Sequence, residues 1–230
     1  MKINLSEWDE LWATRHEATT TLGNEIGRAV AQGEESYDVL WRHARLEHFL
    51  ALQAEVNKDK AAHAQHLFAA ELQANKALKL EPQRVEGLFW AGVARIEAAR
   101  VRGSLAAMSA LRPARTNLEA AAKLDETFHF AGPYRVLGRI AHKAPKLAGG
   151  DIKHAIELYR KSLQIAPDNS TTLLYLAEAL HESGDKSGAE DALKQIIMAP
   201  PLDGWRWEQE RDKPRARLLL AGADDDAAKT

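Results

Sequence analysis

The 230-residue chain contains no cysteine. That excludes a disulfide framework, a thiolate nucleophile, an iron–sulfur cluster, a Cys zinc site and a lipid-anchored Cys. An excess of one charge is lacking too. There are 31 Lys and Arg against 33 Asp and Glu, a formal net charge of −2. Nothing global draws such a chain to nucleic acid or anionic lipid, so any basic surface has to be local. No apolar run approaches the roughly 18–20 residues that span a bilayer, and residues 1–10 lack the apolar core of a secretory signal. As it stands the sequence reads as cytoplasmic; an export signal trimmed from it would make it periplasmic. Ala, Leu, Glu, Lys, Gln and Arg dominate what is present, and these residues favour helices. The fold class expected is all-α.

The apolar residues Leu5, Trp8, Leu11, Trp12, Leu22, Ile26 and Val30 recur at helical spacing, and Ser6-x-x-Asp9 offers a capping box. A capping helix is therefore expected within 1–35. A second helix is expected from about Ser36 to Asn57. A third runs from about Lys58 and stops at Glu81-Pro82, because proline cannot donate the next ladder bond.

From there a pattern repeats. Ala77-Leu78-Lys79-Leu80-Glu81-Pro82 returns as Ala121-Ala122-Lys123-Leu124-Asp125-Glu126 and as Ser162-Leu163-Gln164-Ile165-Ala166-Pro167. Ala70/Ala74, Ala114/Leu118 and Ala155/Tyr159 precede these strings at equal offsets. Between them lie Leu88/Ala91/Gly92, Tyr134/Leu137/Gly138 and Leu173/Leu176/Ala177, each a helical face with a notch of small residues that lets helices approach. This is the spacing of tetratricopeptide repeats, whose unit is about 34 residues. The first two units are longer, which places insertions in the intra-repeat turns around Arg100 to Arg112 and Lys143 to Gly150. The expected organisation is one right-handed α-solenoid with degenerate repeats at about 36–82, 83–126, 127–167 and 168–201, a capping helix at 202–220 and a flexible tail at 221–230. Ala91, Gly92, Leu118, Tyr134, Leu137, Gly138, Ala155, Tyr159, Leu176, Ala177, Ala189 and Leu193 should be buried between helices.

Gly132-Pro133-Tyr134-Arg135-Val136-Leu137-Gly138-Arg139, followed by Ala144-Pro145, Gly150-Asp151, Ala155 and Pro167, resembles the bacterial T-component (TatT) family of TRAP transporters, and Leu174 to Leu180 continues the likeness. Leu40 to Arg45 and Ala77 to Leu80 are similar to the related regulator of microtubule dynamics proteins. The TatT resemblance implies an α-helical partner of a periplasmic substrate-binding protein, with a hydrophobic ligand path. Members of that family are usually exported lipoproteins, whereas this sequence shows neither signal nor Cys.

Catalytic chemistry finds no foothold. His16-Glu17 and His181-Glu182 lack the second His of a metalloprotease motif, and neither a Gly-x-Ser-x-Gly nucleophile elbow nor a phosphate loop is present. His63 with His66, and His43 with Glu47, can each share a helix face, but no third and fourth metal ligand converges on them. The reading is therefore non-enzymatic, with no catalytic residue, metal or cofactor. Asn169-Ser170-Thr171 fits a glycosylation triplet and equally well the start of the last repeat. Of Trp8, Trp12, Trp41, Trp90, Trp205 and Trp207 most lie near the two ends, where they seal the solenoid or serve self-association or a partner.

One constellation stands out. The positions that line a repeat groove are Phe89, Val93, Ile96 and Glu97 in one unit, Arg135, Arg139, His142 and Lys143 in the next, and Leu174, Glu178, His181 and Glu182 in the last. Between Arg84 and Lys146, eleven Lys and Arg face five Asp and Glu. A basic stripe beside apolar side chains suits an acidic peptide, since Arg binds a carboxylate bidentately. The same residues also suit a solvated face closed by ion pairs within the repeats. The stripe lacks the interleaved aromatics that nucleic acid needs. The function expected is a protein-binding scaffold, a transporter accessory whose partner is an acidic peptide or a substrate-binding protein. The alternative is a small-molecule or lipid carrier that uses an apolar channel.

Overall fold

The computed structural model describes residues 3–227, with side chains through residue 222. Among these residues there is no strand. The helices are α1 (Leu5–Ala13), α2 (Arg15–Ala31), α3 (Tyr37–Val56), α4 (Lys60–Leu80), α5 (Val85–Arg102), α6 (Ser104–Leu124), α7 (Phe128–Lys143), α8 (Ile152–Ile165), α9 (Ser170–Glu182), α10 (Lys186–Met198) and α11 (Arg206–Ala227). The chain divides into two compact units. The first runs up to Trp12 and resumes over Glu17–Phe128; the second joins Ala13–His16 to the chain from His129 onward.

In the first unit α3 packs on α4, α4 on α5 and α5 on α6. Alanines make this possible. Ala70, Ala74, Ala77, Ala91, Ala114 and Ala121 are fully buried, and a β-carbon on Gly92 would lie 2.7 Å from Cγ of Leu118. Trp8, Leu22, Ile26, Ala29, Val39 and Leu46 form the core beneath α1 and α2.

The N-terminal cap departs from the single helix expected, because the chain turns at Thr14 and makes two helices. Asn4 rather than Ser6 caps the first of them, its Oδ1 accepting from the Glu7 amide at 3.3 Å. Asp9 is drawn away from any capping box by Arg42 and Arg45, which reach it at 2.6 and 2.9 Å. The insertion at Arg100 to Arg112 is not a turn either. Alanine-rich sequence extends α5 to Arg102 and starts α6 at Ser104, leaving Gly103, at φ +117°, as the whole connection.

In the second unit α8, α9, α10 and α11 pack in succession around Tyr159, Leu173, Ile196 and Ala216. The insertion after Lys143 is a true loop with one 3-10 turn, Lys146–Ala148. Gly150 is required there, since a β-carbon would fall 1.9 Å from the Ala144 carbonyl oxygen. Asp151 caps α8 by accepting from the amides of Lys153 and His154 at 2.9 and 3.2 Å. Asn169, fully buried, caps α9 through the Thr172 amide at 3.0 Å. Of the twelve residues expected to be buried, eleven are; Tyr134 stays partly exposed, with Lys161 Nζ 4.1 Å from its ring centre. The last helix continues to Ala227, past the tail boundary expected at residue 221, because Ala221, Ala223 and Ala227 favour further turns. Residues 228–230 of that tail lie outside the described residues.

Candidate interaction site

The second unit opens on three successive residues in the left-handed region: His129, Phe130 and Ala131, at φ 52°, 57° and 53°. Non-glycine residues resist this conformation by about 1–2 kcal/mol each. The neighbours that hold it are specific. Arg135 donates to the carbonyl oxygens of Phe130 and His129 at 3.0 and 3.3 Å, and Ser162 Oγ donates to that of Ala131 at 3.2 Å. The Trp205 ring lies 5.2 Å from His129, 5.1 Å from Phe130 and 4.8 Å from the Arg135 guanidinium. Arg135 is 5% exposed, and burial pushes its pKa down to about 10. Its guanidinium is therefore turned into the unit. Beside this cluster, buried Arg15 donates from Nη2 to both carboxylate oxygens of Glu208 at 2.5 and 2.6 Å and from Nη1 to the Gly204 carbonyl at 2.7 Å.

One and two turns further along α7 the cations reach the surface. Arg139 meets Glu178 of α9 at 2.5 Å, and Lys143 meets Glu182 at 2.6 Å. Glu178 also receives Arg215 of α11 at 2.7 Å, and Glu182 lies 3.0 Å from His142. The i, i+4 spacing of Arg139 and Lys143 matches that of Glu178 and Glu182, so the two helices pair charge by charge. Burial on its own would lower the pKa of Arg139, but Tyr175 and Glu178 outweigh it and raise it. Burial holds His142 below the ordinary imidazole value, and the bond from Lys143 holds Glu182 below the ordinary carboxylate value. Lys143 and Glu182 remain 41% and 49% exposed at the side chain, whereas Arg139 and Glu178 lie deeper.

Of the twelve groove positions read from the sequence, Glu182 belongs to the row just described, Glu97 lies against His48 instead, His181 is exposed, and the other nine fall into three groups. Arg139, His142, Lys143 and Glu178 come together in the α7–α9 charge row. Arg135 and Leu174, the latter 2% exposed, face the interior of the second unit. Phe89, Val93 and Ile96 are core residues of the first unit, where the Phe89 ring packs 5.0 Å from Trp90 and 5.3 Å from Phe128. Arg215 and Tyr175, whose ring lies 4.1 Å below the Arg139 guanidinium, join the row without having been anticipated. Arg215 carried no signal, since groove spacing counts positions on repeat helices and α11 is not one.

His43, His63 and His66, which share helix faces in the sequence, are engaged internally. Glu47 lies 3.1 Å from His43 Nε2 and 2.7 Å from His66 Nδ1, and His63 Nδ1 is 2.9 Å from the Ala51 carbonyl oxygen. Among the described residues no cluster of three or more His, Asp or Glu has the arrangement to hold a metal ion. Nor is any described helix long and apolar enough to cross a membrane.

The sequence profile of the TRAP transporter T-component family matches residues 26–225. The chain belongs to that family. The fold agrees with a solved structure of a thermophilic tetratricopeptide-repeat protein from Thermus thermophilus, with a TM-score of 0.65 at 16% identity over 95% of this chain and 96% of that one. No curated protein sequence matches. T-components and tetratricopeptide folds are non-catalytic kinds of protein, and together they give this chain the character of a transporter accessory or interaction scaffold.

Proposed function

We propose that this T-component docks a protein partner, an acidic segment of the transporter's substrate-binding protein, on the α7–α9 face of its second unit. The observation that carries this reading is the exposed pair Lys143–Glu182 beside the deeper pair Arg139–Glu178. An exposed ion pair contributes little to stability, because solvent screens it and two long side chains must be ordered. Its carboxylate is therefore exchangeable for one supplied by a partner. Arg139 and Tyr175 beneath it are preorganised, so a second carboxylate arriving there finds an oriented guanidinium. Leu174, buried in the core of the second unit, anchors the α9 helix that carries Glu178. Such a partner places the protein on the periplasmic side of the membrane.

The test is binding of the cognate substrate-binding protein to the purified chain by calorimetry. Lys143→Glu should weaken it at least tenfold while leaving the helical circular dichroism unchanged, with larger losses at low salt than at high. Wild-type affinity in Lys143→Glu would move the docking face elsewhere. Absence of binding by the wild type, with a small apolar molecule retained in native mass spectrometry, would replace the scaffold by a carrier.

A further inference from the structure

The first unit carries a surface that the docking reading does not use. Over residues 98–118 there are four arginines and no Asp or Glu, in a chain whose net charge is negative. This stretch is the end of α5, Gly103 and the greater part of α6, and it presents apolar side chains to solvent: Leu105 is 87% exposed, Met108 44% and Val101 42%. Arg102 fastens the end of α5 to α4, pairing with Glu71 at 2.5 Å and lying 4.7 Å over the Phe68 ring. On α4, Phe68 and Leu72 are themselves 37% and 55% exposed. Among the described residues neither Arg100 nor Arg112 makes a salt bridge. The acid nearest Arg100 in sequence, Glu97, lies 2.9 Å from His48 and feels Arg100 through space without pairing with it.

We propose that this edge of the first unit rests on an anionic lipid surface, with Leu105 and Met108 entering the headgroup region and Arg100 and Arg112 contacting lipid phosphates. Two features favour lipid over a protein. Leu105 protrudes from the first turn of α6, which suits insertion between headgroups, whereas protein anchors are gripped in pockets. The two arginines beside it are held in no salt bridge, and a bilayer with anionic headgroups supplies many weak phosphate contacts of the kind such a cluster needs. The contact is peripheral and independent of the α7–α9 row.

Flotation of the full chain with vesicles tests it. The wild type should float with phosphatidylcholine vesicles containing about 30% phosphatidylglycerol at low salt, and not with phosphatidylcholine alone. Leu105→Asp should weaken flotation about tenfold, and so should Arg100→Glu with Arg112→Glu. All three positions are exposed, so unchanged circular dichroism and unchanged binding of the substrate-binding protein certify the fold. A wild type that stays in solution with anionic vesicles overturns the proposal. So do variants that float like the wild type, or binding of soluble polyglutamate as tight as vesicle binding and unaffected by Leu105→Asp, which would mark an acidic-protein site.

Discussion

A β-carbon placed on Gly138 would lie 2.6 Å from Cε1 of Tyr159, so α7 and α8 meet through bare backbone against an aromatic edge. Tyr159 is fully buried and cannot swing outward without opening the core. Gly138→Leu should therefore lower stability by about 1–3 kcal/mol through overpacking. Urea denaturation reads this directly, and an unchanged midpoint would show that the notch is slack.

The buried pair Arg15–Glu208 joins residues far apart in sequence. Removing one partner leaves a charge without a counter-ion in a site that water barely reaches. Arg15→Ala should cost about 3–5 kcal/mol, and replacing both residues by apolar ones of similar size should cost much less. Equal losses in the single and double variants would mean that packing, not charge, explains the contact.

Arg135 is expected to matter for stability more than for charge. Arg135→Met removes the donors to two part-buried carbonyls and should destabilise the chain by about 2–4 kcal/mol. Lysine, a point charge without the planar fork, should rescue little. Tryptophan fluorescence during denaturation, in which Trp205 is one of six emitters, reports on both variants; wild-type behaviour in Arg135→Met would return this residue to the docking surface.

Acid sensitivity should trace to Glu47. Burial on its own would raise its pKa, but the bonds to His43 and His66 outweigh that and set it below the ordinary 4.5. A carboxylate with a depressed folded pKa stabilises the fold above the unfolded value and loses that contribution as pH falls through the folded one. Stability measured downward from pH 5 should therefore fall more steeply in the wild type than in Glu47→Gln. Parallel acid limbs would sink the assignment.

Periodicity made the helix pairs legible because Ala70, Ala91, Gly92, Ala114 and Gly138 announce close approach by lacking bulk, and the caps Asp151 and Asn169 act within three residues of their own helices. Cations were harder to read. A surplus of arginine tells nothing of where carbonyls and carboxylates will be, so Arg135 looked like the neighbour of Arg139 on a groove although one points inward and the other pairs with Glu178. Connections failed for a related reason. Extra length around Arg100 to Arg112 is a loop by spacing alone, yet alanine makes continued helix cheaper than irregular backbone. The Arg15–Glu208 pair had no local signal at all.

The left-handed turn at His129–Ala131 also constrains the order of folding. Arg135 holds it from nearby in the sequence, while Ser162 and Trp205 are made later. During synthesis the segment therefore has little reason to reverse its handedness until the chain through Trp205 has emerged and packed. The turn closes after the helices around it, and mutations there should quicken unfolding while leaving the refolding rate nearly untouched.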